Sequence, residues 1–269
     1  MAGTTERWLE GRVALVTGGS SGIGAACVEE LARRGAAVAI NFLSRADEAE
    51  ALAETCRRHD VEVHALHGDV AEPASVLQLF DAIDAKFGRL DILVANAGIQ
   101  RDAAFTEMSL EDWRRVLDVN LTGQFLCAQA AVRRFLAQPR NAGYSAGNIV
   151  HMSSVHDSIP WAGHVNYAAS KAGVTMLARS LALELAANGV RVNVVSPGAI
   201  RTPLNRGVWA DEAKARELLN LIPNGRIGAP REVAAAVAWL VSDAADYITG
   251  ETLYIDGGMR LYPGFLDNG

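Results

Sequence analysis

Short apolar runs recur along the whole chain, separated by longer stretches in which polar and apolar residues mix. The first run, Arg12–Thr17, contains β-branched residues, and the runs lack alternating polarity of their own, which predicts strands buried on both faces. The predicted strands are Arg12–Thr17, Ala36–Phe42, Val61–His67, Leu90–Ala95, Gly147–Ser153, Val190–Val195 and Thr252–Ile255. Strands of this kind are typical of a parallel sheet covered by helices on both sides.

The intervening stretches carry helical patterns, with apolar residues three and four positions apart and glycine or proline at their ends. The predicted helices are Gly22–Arg34, Asp47–His59, one that begins at Glu72-Pro73, Ser109–Leu136, His164–Asn188, Asp211–Leu221 and Pro230–Ser242. Regular alternation of strands and helices predicts an α/β fold: a doubly wound parallel sheet, or Rossmann fold, with helices on both faces. Because no repeat or low-complexity linker divides the chain, we expect one domain over residues 1–269.

The composition of the chain restricts its partners. The 269 residues are 50% hydrophobic and 21% charged, with a net charge of −6. This globular composition argues against a nucleic-acid or anionic-membrane partner, since either favours a basic face. The N-terminus lacks the layout of a signal peptide, and no apolar run is long enough to span a membrane. Cys27, Cys56 and Cys127 form no C-x-x-C pair, so we expect reduced thiols and a cytoplasmic protein.

A glycine-rich turn, Thr17–Gly24, lies between the first predicted strand and the first predicted helix. Gly18 can take the tight turn, Gly22 lets the backbone approach a pyrophosphate, and Gly24 lets the helix pack close to the strand. The start of the helix offers free N–H groups and a positive dipole end to the anion. The alternative is a plain tight turn, but the strand before it and the helix after it favour dinucleotide binding.

The end of the second predicted strand distinguishes between the two nicotinamide cofactors. An acidic residue there binds the ribose hydroxyls of NAD, whereas a basic one accommodates the 2′-phosphate of NADP. The sequence reads Asn41-Phe42-Leu43-Ser44-Arg45, with no acid before Asp47. We therefore expect NADP to be accepted, with Ser44 and Arg45 at its phosphate, and NAD to be usable as well. Alternatively, Arg45 only starts the next helix.

Tyr167 and Lys171 are four residues apart near the start of a predicted helix, so they share one face. Lowering a tyrosine pKa from about 10 to about 7 requires ~4 kcal/mol of phenolate stabilisation. A nearby ammonium supplies roughly 1–3 pKa units, and the positive charge of an oxidised nicotinamide can supply the rest. The pair is therefore predicted to move a proton beside that cofactor. The alternative is an amphipathic helix with a buried tyrosine and a lysine whose head reaches solvent.

Several motifs share the order and spacing of one enzyme family. They are the Thr-Gly-x-x-x-Gly-x-Gly turn at Thr17–Gly24, Asn96-Ala97-Gly98, Asn120, Ser154, the Tyr-x-x-x-Lys pair of Tyr167 and Lys171, and Pro197-Gly198. In these motifs the chain resembles the short-chain dehydrogenase/reductase family, from about Leu9 to Met259. The resemblance implies an oxidoreductase that moves a hydride between NAD or NADP and an alcohol or carbonyl carbon.

The resemblance also implies a role for each matching residue. Tyr167 would be the acid/base, Ser154 would hold the substrate oxygen, and Lys171 would bind the nicotinamide ribose and lower the tyrosine pKa. Asn120 would anchor a water that links the site to solvent. The cofactor would contact the turn, the phosphate residues Ser44 and Arg45, an adenine site and an adenosine ribose site. The turn residues are Gly18, Ser20, Ser21, Gly22, Ile23 and Gly24, the adenine residues are Asp69 and Val70, and the ribose residues are Asn96, Ala97 and Gly98. The remaining cofactor residues are Tyr167, Lys171, Pro197, Gly198, Ile200 and Thr202. No metal is implied.

Three further segments are similar to the bacterial glucose 1-dehydrogenases of the family. They are Met152–Trp161, Gly198–Asn205 and Asp256–Phe265. This similarity would place His156 and Trp161 in the pocket, where an imidazole can bind hydroxyls and an indole face can pack on a pyranose. The implied substrate-binding residues are Ser154, His156, Trp161 and Tyr167. The reaction would take a hydride from C1 of glucose or a related aldose and give a lactone. The chain departs from this group at Leu43, over 137–146 and in its last four residues, and Trp161 could instead only pack its own loop.

Two other functions are kept as alternatives. A 3-oxoacyl-(acyl-carrier-protein) reductase, or another ketone reductase of the family, would use the same site. An acidic carrier protein requires a basic patch, for which Arg133 and Arg134 are the only candidates expected near the pocket. A dinucleotide-sensing regulator could share the fold, but it would not need Ser154, Tyr167 and Lys171 together.

Two further expectations concern movement and assembly. The segment 201–226 carries Trp209 and a short helix, and we expect it to be a substrate lid, as long insertions beside a site often are. The family resemblance also implies a homotetramer, in which the helices Ser109–Leu136 and His164–Asn188 pack against neighbouring subunits.

Overall fold

Parallel strands form one sheet in the computed structural model, which describes residues 7–139 and 145–261. The strands are β1 (Val13–Val16), β2 (Ala37–Phe42), β3 (Val63–His67), β4 (Ile92–Ala95), β5 (Gly147–Met152), β6 (Val190–Pro197) and β7 (Thr252–Ile255). Their order across the sheet is β3-β2-β1-β4-β5-β6-β7, and every pairing is parallel. The order reverses between β1 and β4, which is the switch point where such sheets bind ligands beyond their carboxyl ends. The predicted fold class is confirmed.

Helices cover both faces of the sheet. They are α1 (Gly22–Arg33), α2 (Ala46–Arg57), α3 (Pro73–Phe87), α4 (Leu110–Leu117), α5 (Gly123–Ala137), α6 (Val165–Leu185), α7 (Arg206–Trp209), α8 (Glu212–Leu219) and α9 (Pro230–Leu240). Neighbouring strand residues point to opposite faces, so Val16 packs with α1, α2 and α9 in one apolar cluster. Leu15 packs with α3, α5 and α6 in the other. The two clusters lie on opposite faces of the sheet and together hold in place its carboxyl edge, the edge at which the parallel strands end.

The long helical stretch predicted over Ser109–Leu136 is continuous in the structure, but it is not one regular α-helix. A π-helical turn at Asp118–Thr122 separates α4 from α5. The wider turn contains Asn120, whose buried side chain bonds the backbone of Ile99 in both directions. Side-chain periodicity does not register one extra residue in a continuous helical path, and such turns are frequent at functional sites.

The segment 201–226 holds two short helices, of which only α8 was predicted. α7 has four residues, too few for a periodic pattern, and its Trp209 donates from Nε1 to the carbonyl of Thr202 at 2.9 Å. Within the parts of the chain that the structure describes, every helix is too short or too polar to cross a membrane. The departure predicted over 137–146 lies partly outside the described residues, and the one in the last four residues lies wholly outside them.

Candidate active site

The glycine turn follows β1 and leads into α1, as predicted. Gly18 and Gly22 have positive φ angles of 59° and 57°, a conformation that L side chains rarely adopt. A Cβ on Gly24 would collide with the carbonyl of Gly18 and the amide of Asn96. Ser21, at the N-cap of α1, makes no side-chain cap bond, so the first N–H groups of the helix are left for an anion. This backbone cradle, which side chains would fill, fits the pyrophosphate of a dinucleotide.

Two asparagines hold the turn in this shape. The side chain of Asn41 accepts from the Gly18 N–H at 3.3 Å, and its backbone carbonyl accepts from the Gly19 N–H at 2.8 Å. Asn96 Nδ2 donates to the carbonyls of Thr17 at 2.9 Å and Gly18 at 3.2 Å. Asn96 was expected at the adenosine ribose, yet its amide is used to support the turn. Asn41 was not predicted, although a polar residue inside an apolar strand was a signal for it.

The expected phosphate and adenine residues lie at the ends of β2 and β3, on the same edge of the sheet as the glycine turn. Ser44 and Arg45 are exposed, and Arg45 takes a left-handed conformation with φ of 65°. Its guanidinium pairs with Glu48 at 3.2 Å. Asp69 accepts from the Ala71 N–H at 2.9 Å through one oxygen and pairs with Arg115 at 3.4 Å through the other. Adjacent parallel strands bring these groups together, as the sequence predicts.

Tyr167 meets Ser154 at the carboxyl edge of β5. Ser154 is buried and begins a short 3-10 turn, with its Oγ accepting from the His156 N–H at 3.2 Å. The Tyr167 hydroxyl is hydrogen-bonded to the side chains of Ser154 and Gln100. Burial raises the pKa of Tyr167 above its ordinary value, and these two hydrogen bonds oppose the shift. Lowering the pKa towards neutrality therefore requires positive charge at this point.

Lys171 lies on the same face of α6 as Tyr167, as the spacing predicts. Its Nζ is 5.5 Å from the centre of the tyrosine ring and donates to the carbonyl of Met152 at 2.8 Å. The side chain is buried. Burial lowers the pKa of Lys171 to about 8, and the negative charge of Asp157 opposes this shift.

Asn120 joins the loop after β4 to α6. Its Oδ1 accepts from the Ile99 N–H at 2.8 Å, and its Nδ2 donates to the Ile99 carbonyl at 3.0 Å and to Ser170 Oγ at 3.2 Å. Gly98 lies beside this clamp, where an added Cβ would come within 3.6 Å of Lys171 Nζ and 3.4 Å of Asn120 Oδ1. The amide of Asn120 is thus committed to fixing the loop next to Lys171.

The last residues of the expected cofactor set follow β6. A Cβ on Gly198 would come within 2.9 Å of Asp256, so the backbone requires glycine there. Ile200 is buried, and the backbone N–H and the hydroxyl of Thr202 both donate to Asn205 Oδ1 at 3.0 Å. These residues lie at the same edge of the sheet as Ser154, as predicted.

Trp161 stands between two histidines at the rim of the site. Its ring is stacked on His156 at 4.1 Å and on His164 at 3.5 Å between centroids. Its edge meets Tyr167 at 6.1 Å with the rings 82° apart. Trp161 therefore lies next to Tyr167 as expected, with two imidazole rings stacked on its indole. The packing of an indole face on a pyranose stays a prediction.

Four polar side chains that support the site were not predicted from the sequence. Gln100 reaches the Tyr167 hydroxyl, and Asp157 accepts hydrogen bonds from several hydroxyl groups behind Ser154. His151 bonds Gln124 at 2.8 Å, and Gln124 donates to the Met152 carbonyl that also holds Lys171. Burial lowers the pKa of His151 to about 4, which keeps the ring neutral. The described residues include no group of three His, Cys, Asp or Glu side chains that could hold a metal ion.

The two arginines expected near the pocket lie elsewhere. Arg134 pairs with Asp84 at 2.7 Å and with Asp81 at 3.3 Å on α3. It is on the last turn of α5, whose next residues bond Leu90 at the amino end of β4. Because α5 runs antiparallel to the strands, this end of the helix is opposite to the carboxyl edge. The expectation that Arg133 and Arg134 lie beside the pocket is therefore wrong.

Comparisons with known proteins show the family of the chain. A family model, adh_short_C2, described as enoyl-(acyl carrier protein) reductase, matches residues 18–260. The 3β-hydroxysteroid dehydrogenase 1 of Eggerthella lenta is 44% identical over 257 residues, 96% of this chain and 97% of that protein. Glucose 1-dehydrogenase 2 of Bacillus subtilis is 40% identical over 260 residues, 96% of this chain and 98% of that protein. A 3-oxoacyl-[acyl-carrier-protein] reductase of Synechocystis is also 40% identical, over 94% of this chain and 99% of its own.

A solved structure agrees with the expected cofactor. The gluconate 5-dehydrogenase from Burkholderia cenocepacia, in complex with NADP and tartrate, has a TM-score of 0.87 and 36% identity, covering 96% of this chain and 99% of that chain. The named activities of the relatives differ in substrate but share hydride transfer at a CH–OH or carbonyl carbon. The chain belongs to the short-chain dehydrogenase/reductase family and is an NAD(P)-dependent oxidoreductase acting on CH–OH or carbonyl groups.

Proposed function

We propose that this oxidoreductase oxidises a hydroxyl carbon of a small polyhydroxylated substrate, with C1 of glucose or a related aldose as the first choice. The observation that carries the proposal is the polar surrounding of Tyr167. Ser154 and Gln100 bond its hydroxyl, and His156 and His164 flank the tryptophan whose edge meets its ring. Several fixed hydrogen-bonding groups around one reacting hydroxyl suit a polyol, because each can bind a neighbouring hydroxyl.

In this mechanism the chain moves the proton. When bound, the nicotinamide supplies the hydride acceptor. Tyr167 accepts the proton of the substrate hydroxyl, and the hydroxyl carbon becomes a carbonyl, which for C1 of an aldose is a lactone. Ser154 donates a hydrogen bond to the substrate oxygen, and the ammonium of Lys171 stabilises the phenolate. Asn120 fixes the loop beside Lys171, so we assign the expected water to the backbone of the π-helical turn rather than to its amide.

For the cofactor, we propose that Ser44 and Arg45 bind the 2′-phosphate of NADP. Both are exposed at the end of β2, and no acidic residue stands among residues 43–45. The Arg45–Glu48 pair is exposed on both sides, with side chains 47% and 54% accessible, so exchanging the carboxylate for a phosphate costs little.

The second candidate is a ketone reductase acting on an oxosteroid, the product of hydroxysteroid oxidation, or on a 3-oxoacyl substrate. Leu204 and Val208 in the segment 201–226 are 60% and 36% exposed, and they offer apolar surface to a larger substrate. An acyl-carrier-protein substrate is disfavoured, since Arg134 is already paired with carboxylates away from the carboxyl edge. A regulator that only senses dinucleotides is disfavoured by the presence of Ser154, Tyr167 and Lys171 in one site.

We further propose that residues 201–226 form a substrate lid and that the protein is a cytoplasmic homotetramer. The lid follows directly from the edge of β6 and is largely exposed.

Apolar side chains on the outer surfaces of two helices support the assembly: Phe125 on α5 is 42% exposed, and Met176 and Leu183 on α6 are 59% and 86% exposed. The three buried, unpaired cysteines suit a reducing compartment. Light scattering of the protein and of a Met176→Ser/Leu183→Ser variant tests the assembly; a monomeric wild type would overturn it.

Purified protein assayed with NAD and NADP against a panel of substrates tests the function. The panel holds glucose, other aldoses, gluconate, a 3β-hydroxysteroid and acetoacetyl thioester. We expect the highest kcat/KM for an aldose, with NADP reduction and lactone formation. A higher kcat/KM for the steroid or the thioester would assign the second candidate instead. No hydride transfer with any member of the panel would favour the regulator.

A further inference from the structure

The carboxylate of Asp157 is held by four hydroxyl groups directly behind Ser154. Its Oδ2 accepts from Ser196 at 2.7 Å, from Thr175 at 2.9 Å and from Ser153 at 3.2 Å. Its Oδ1 accepts from Tyr254 at 2.9 Å. These partners are all neutral, so they stabilise the negative charge without cancelling it.

The four donors come from four different elements of the fold. Ser153 follows β5, Thr175 is on α6, Ser196 is on β6 and Tyr254 is on β7. Asp157 ends the 3-10 turn that Ser154 begins. The carboxylate thus fastens the turn that carries Ser154 to the three elements packed around it. A turn of three residues has little apolar surface of its own, so such anchors determine its position.

The same network reaches Lys171. Ser153 Oγ and Thr175 Oγ1 each lie within hydrogen-bonding distance of Asp157 Oδ2, and also of the Lys171 carbonyl, at 3.0 Å and 3.2 Å. At its other end the lysine is buried, and its Nζ donates to the neutral carbonyl of Met152.

The groups that face the Lys171 ammonium carry no negative charge that would offset the cost of burying its positive charge. Without the cofactor, Tyr167 keeps its proton at neutral pH, His151 is neutral, and the amide of Asn120 is committed to Ile99 and Ser170. Asp157 is the anion that acts on Lys171. A buried ammonium without an anion tends to lose its proton, because burial disfavours the charged form.

We propose that Asp157 is a positioning residue of the active site: it fixes the turn that carries Ser154, and its negative charge keeps Lys171 in the ammonium form. The inference rests on the proposed role of Lys171 in stabilising the Tyr167 phenolate. A neutral lysine could still donate a hydrogen bond, but it would supply no charge to the phenolate.

The sequence offers a direct way to follow Lys171. The chain has only three lysines, Lys86, Lys171 and Lys214. Protein labelled with 13C at the lysine ε carbon therefore gives three signals, and Lys171→Arg identifies the one of interest. The exposed Lys86 and Lys214 serve as internal references in the same titration. The measurement needs no substrate, so it remains informative even if the proposed function fails.

The variants separate charge from hydrogen bonding. Asp157→Asn keeps the shape and removes the charge, and its amide can bond the same hydroxyls once they turn to accept. Asp157→Ser removes the charge in a smaller side chain, for the case that the first variant does not fold. Asp157→Glu restores the charge, and Tyr254→Phe removes one hydrogen bond while leaving the charge.

We expect the Lys171 midpoint near pH 8 in the wild type, and about 1 pH unit lower in Asp157→Asn and Asp157→Ser. Asp157→Glu and Tyr254→Phe should stay within about 0.3 unit of the wild type, because both keep the charge. An unchanged midpoint in the two neutral variants would overturn the inference. An equal shift in Tyr254→Phe would overturn it too, since it would trace the effect to packing rather than charge. Activity retained by Lys171→Met would instead overturn the proposed role of the lysine.

Discussion

The two halves of the carboxyl edge are built by different means. At the cofactor end, around β1, the shape is set by backbone: positive φ angles at Gly18 and Gly22, and a glycine at 24 where no Cβ fits. At the substrate end, around β5 to β7, the shape is set by side chains from distant parts of the chain. Asp157 and Tyr254 are 97 residues apart in sequence yet hydrogen-bonded. A backbone-built site binds one common ligand, whereas a side-chain-built site can be refashioned for many substrates.

The largest effect is expected at the point where the two halves meet. Tyr167→Phe removes the hydroxyl that Ser154 and Gln100 bond, and a proton-transfer group is typically worth 10²–10⁴-fold. We expect kcat to fall by about 10³-fold with every active substrate. NADPH binding, followed by fluorescence, should change less than about twofold, since the ring and Lys171 stay in place. Substantial residual turnover would show that another group moves the proton.

A glycine substitution tests the backbone-built half. In Gly24→Ala the new methyl group meets the Gly18 carbonyl and the Asn96 amide, and overpacking of this kind costs typically ~1–3 kcal/mol. We expect the Kd for NADP, measured by calorimetry, to rise about 10- to 100-fold. Gly207→Ala is the matched control, because a Cβ there meets nothing within 4 Å. Equal Kd values for both variants would mean that the turn is not the cofactor cradle.

A tryptophan substitution tests the side-chain-built half. Trp161→Ala removes two stacked contacts, each worth roughly 0.5–1.5 kcal/mol, and so releases His156 and His164. We expect KM for the best aldose to rise about 20-fold, with the Kd for NADP unchanged. Trp239 is equally exposed at 37% and lies on α9, so Trp239→Ala is the control. An unchanged KM would mean that Trp161 packs its own loop and has no role in substrate binding.

A smaller effect is expected on the preference for NADP over NAD, which depends on the residues after β2. Arg45→Ala removes the one basic side chain among residues 43–45, and a charge-assisted bond to phosphate is worth roughly 1.5 kcal/mol. The ratio of kcat/KM for NADP to that for NAD should fall about 10-fold. Arg57→Ala, at the other end of α2 and paired with Glu50 and Glu54, should leave the ratio unchanged. If the ratio is unchanged in Arg45→Ala, Arg45 does not bind the 2′-phosphate and only precedes α2.

The same comparison explains what the sequence could predict. The parallel sheet, the glycine turn and the Tyr167–Lys171 pair follow from local patterns, because their geometry is fixed by residues a few positions apart. The π-helical turn at Asp118–Thr122 was not predicted, because it lies inside a continuous helical path and no residue type marks it. The stacked contacts of Trp161 and the contacts of Asp157 depend on tertiary packing, which no spacing encodes. The sequence therefore predicts the type of reaction better than it predicts the shape of the substrate pocket.

The smallest effect is a change in pH dependence that links the two halves through Lys171. The ammonium has a depressed pKa of about 8, so its charge is present below that pH and is lost as the pH rises through it. If Asp157→Asn lowers this value by about 1 unit, the charged fraction at pH 9 relative to pH 7 falls about fivefold further than in the wild type. The kcat/KM for the cofactor reports the free enzyme, so it is the quantity to measure. Its decline between pH 7 and pH 9 should be about fivefold steeper in Asp157→Asn and unaltered in Tyr254→Phe. Parallel declines in both variants and the wild type would mean that the charge of Lys171 does not limit catalysis in this range.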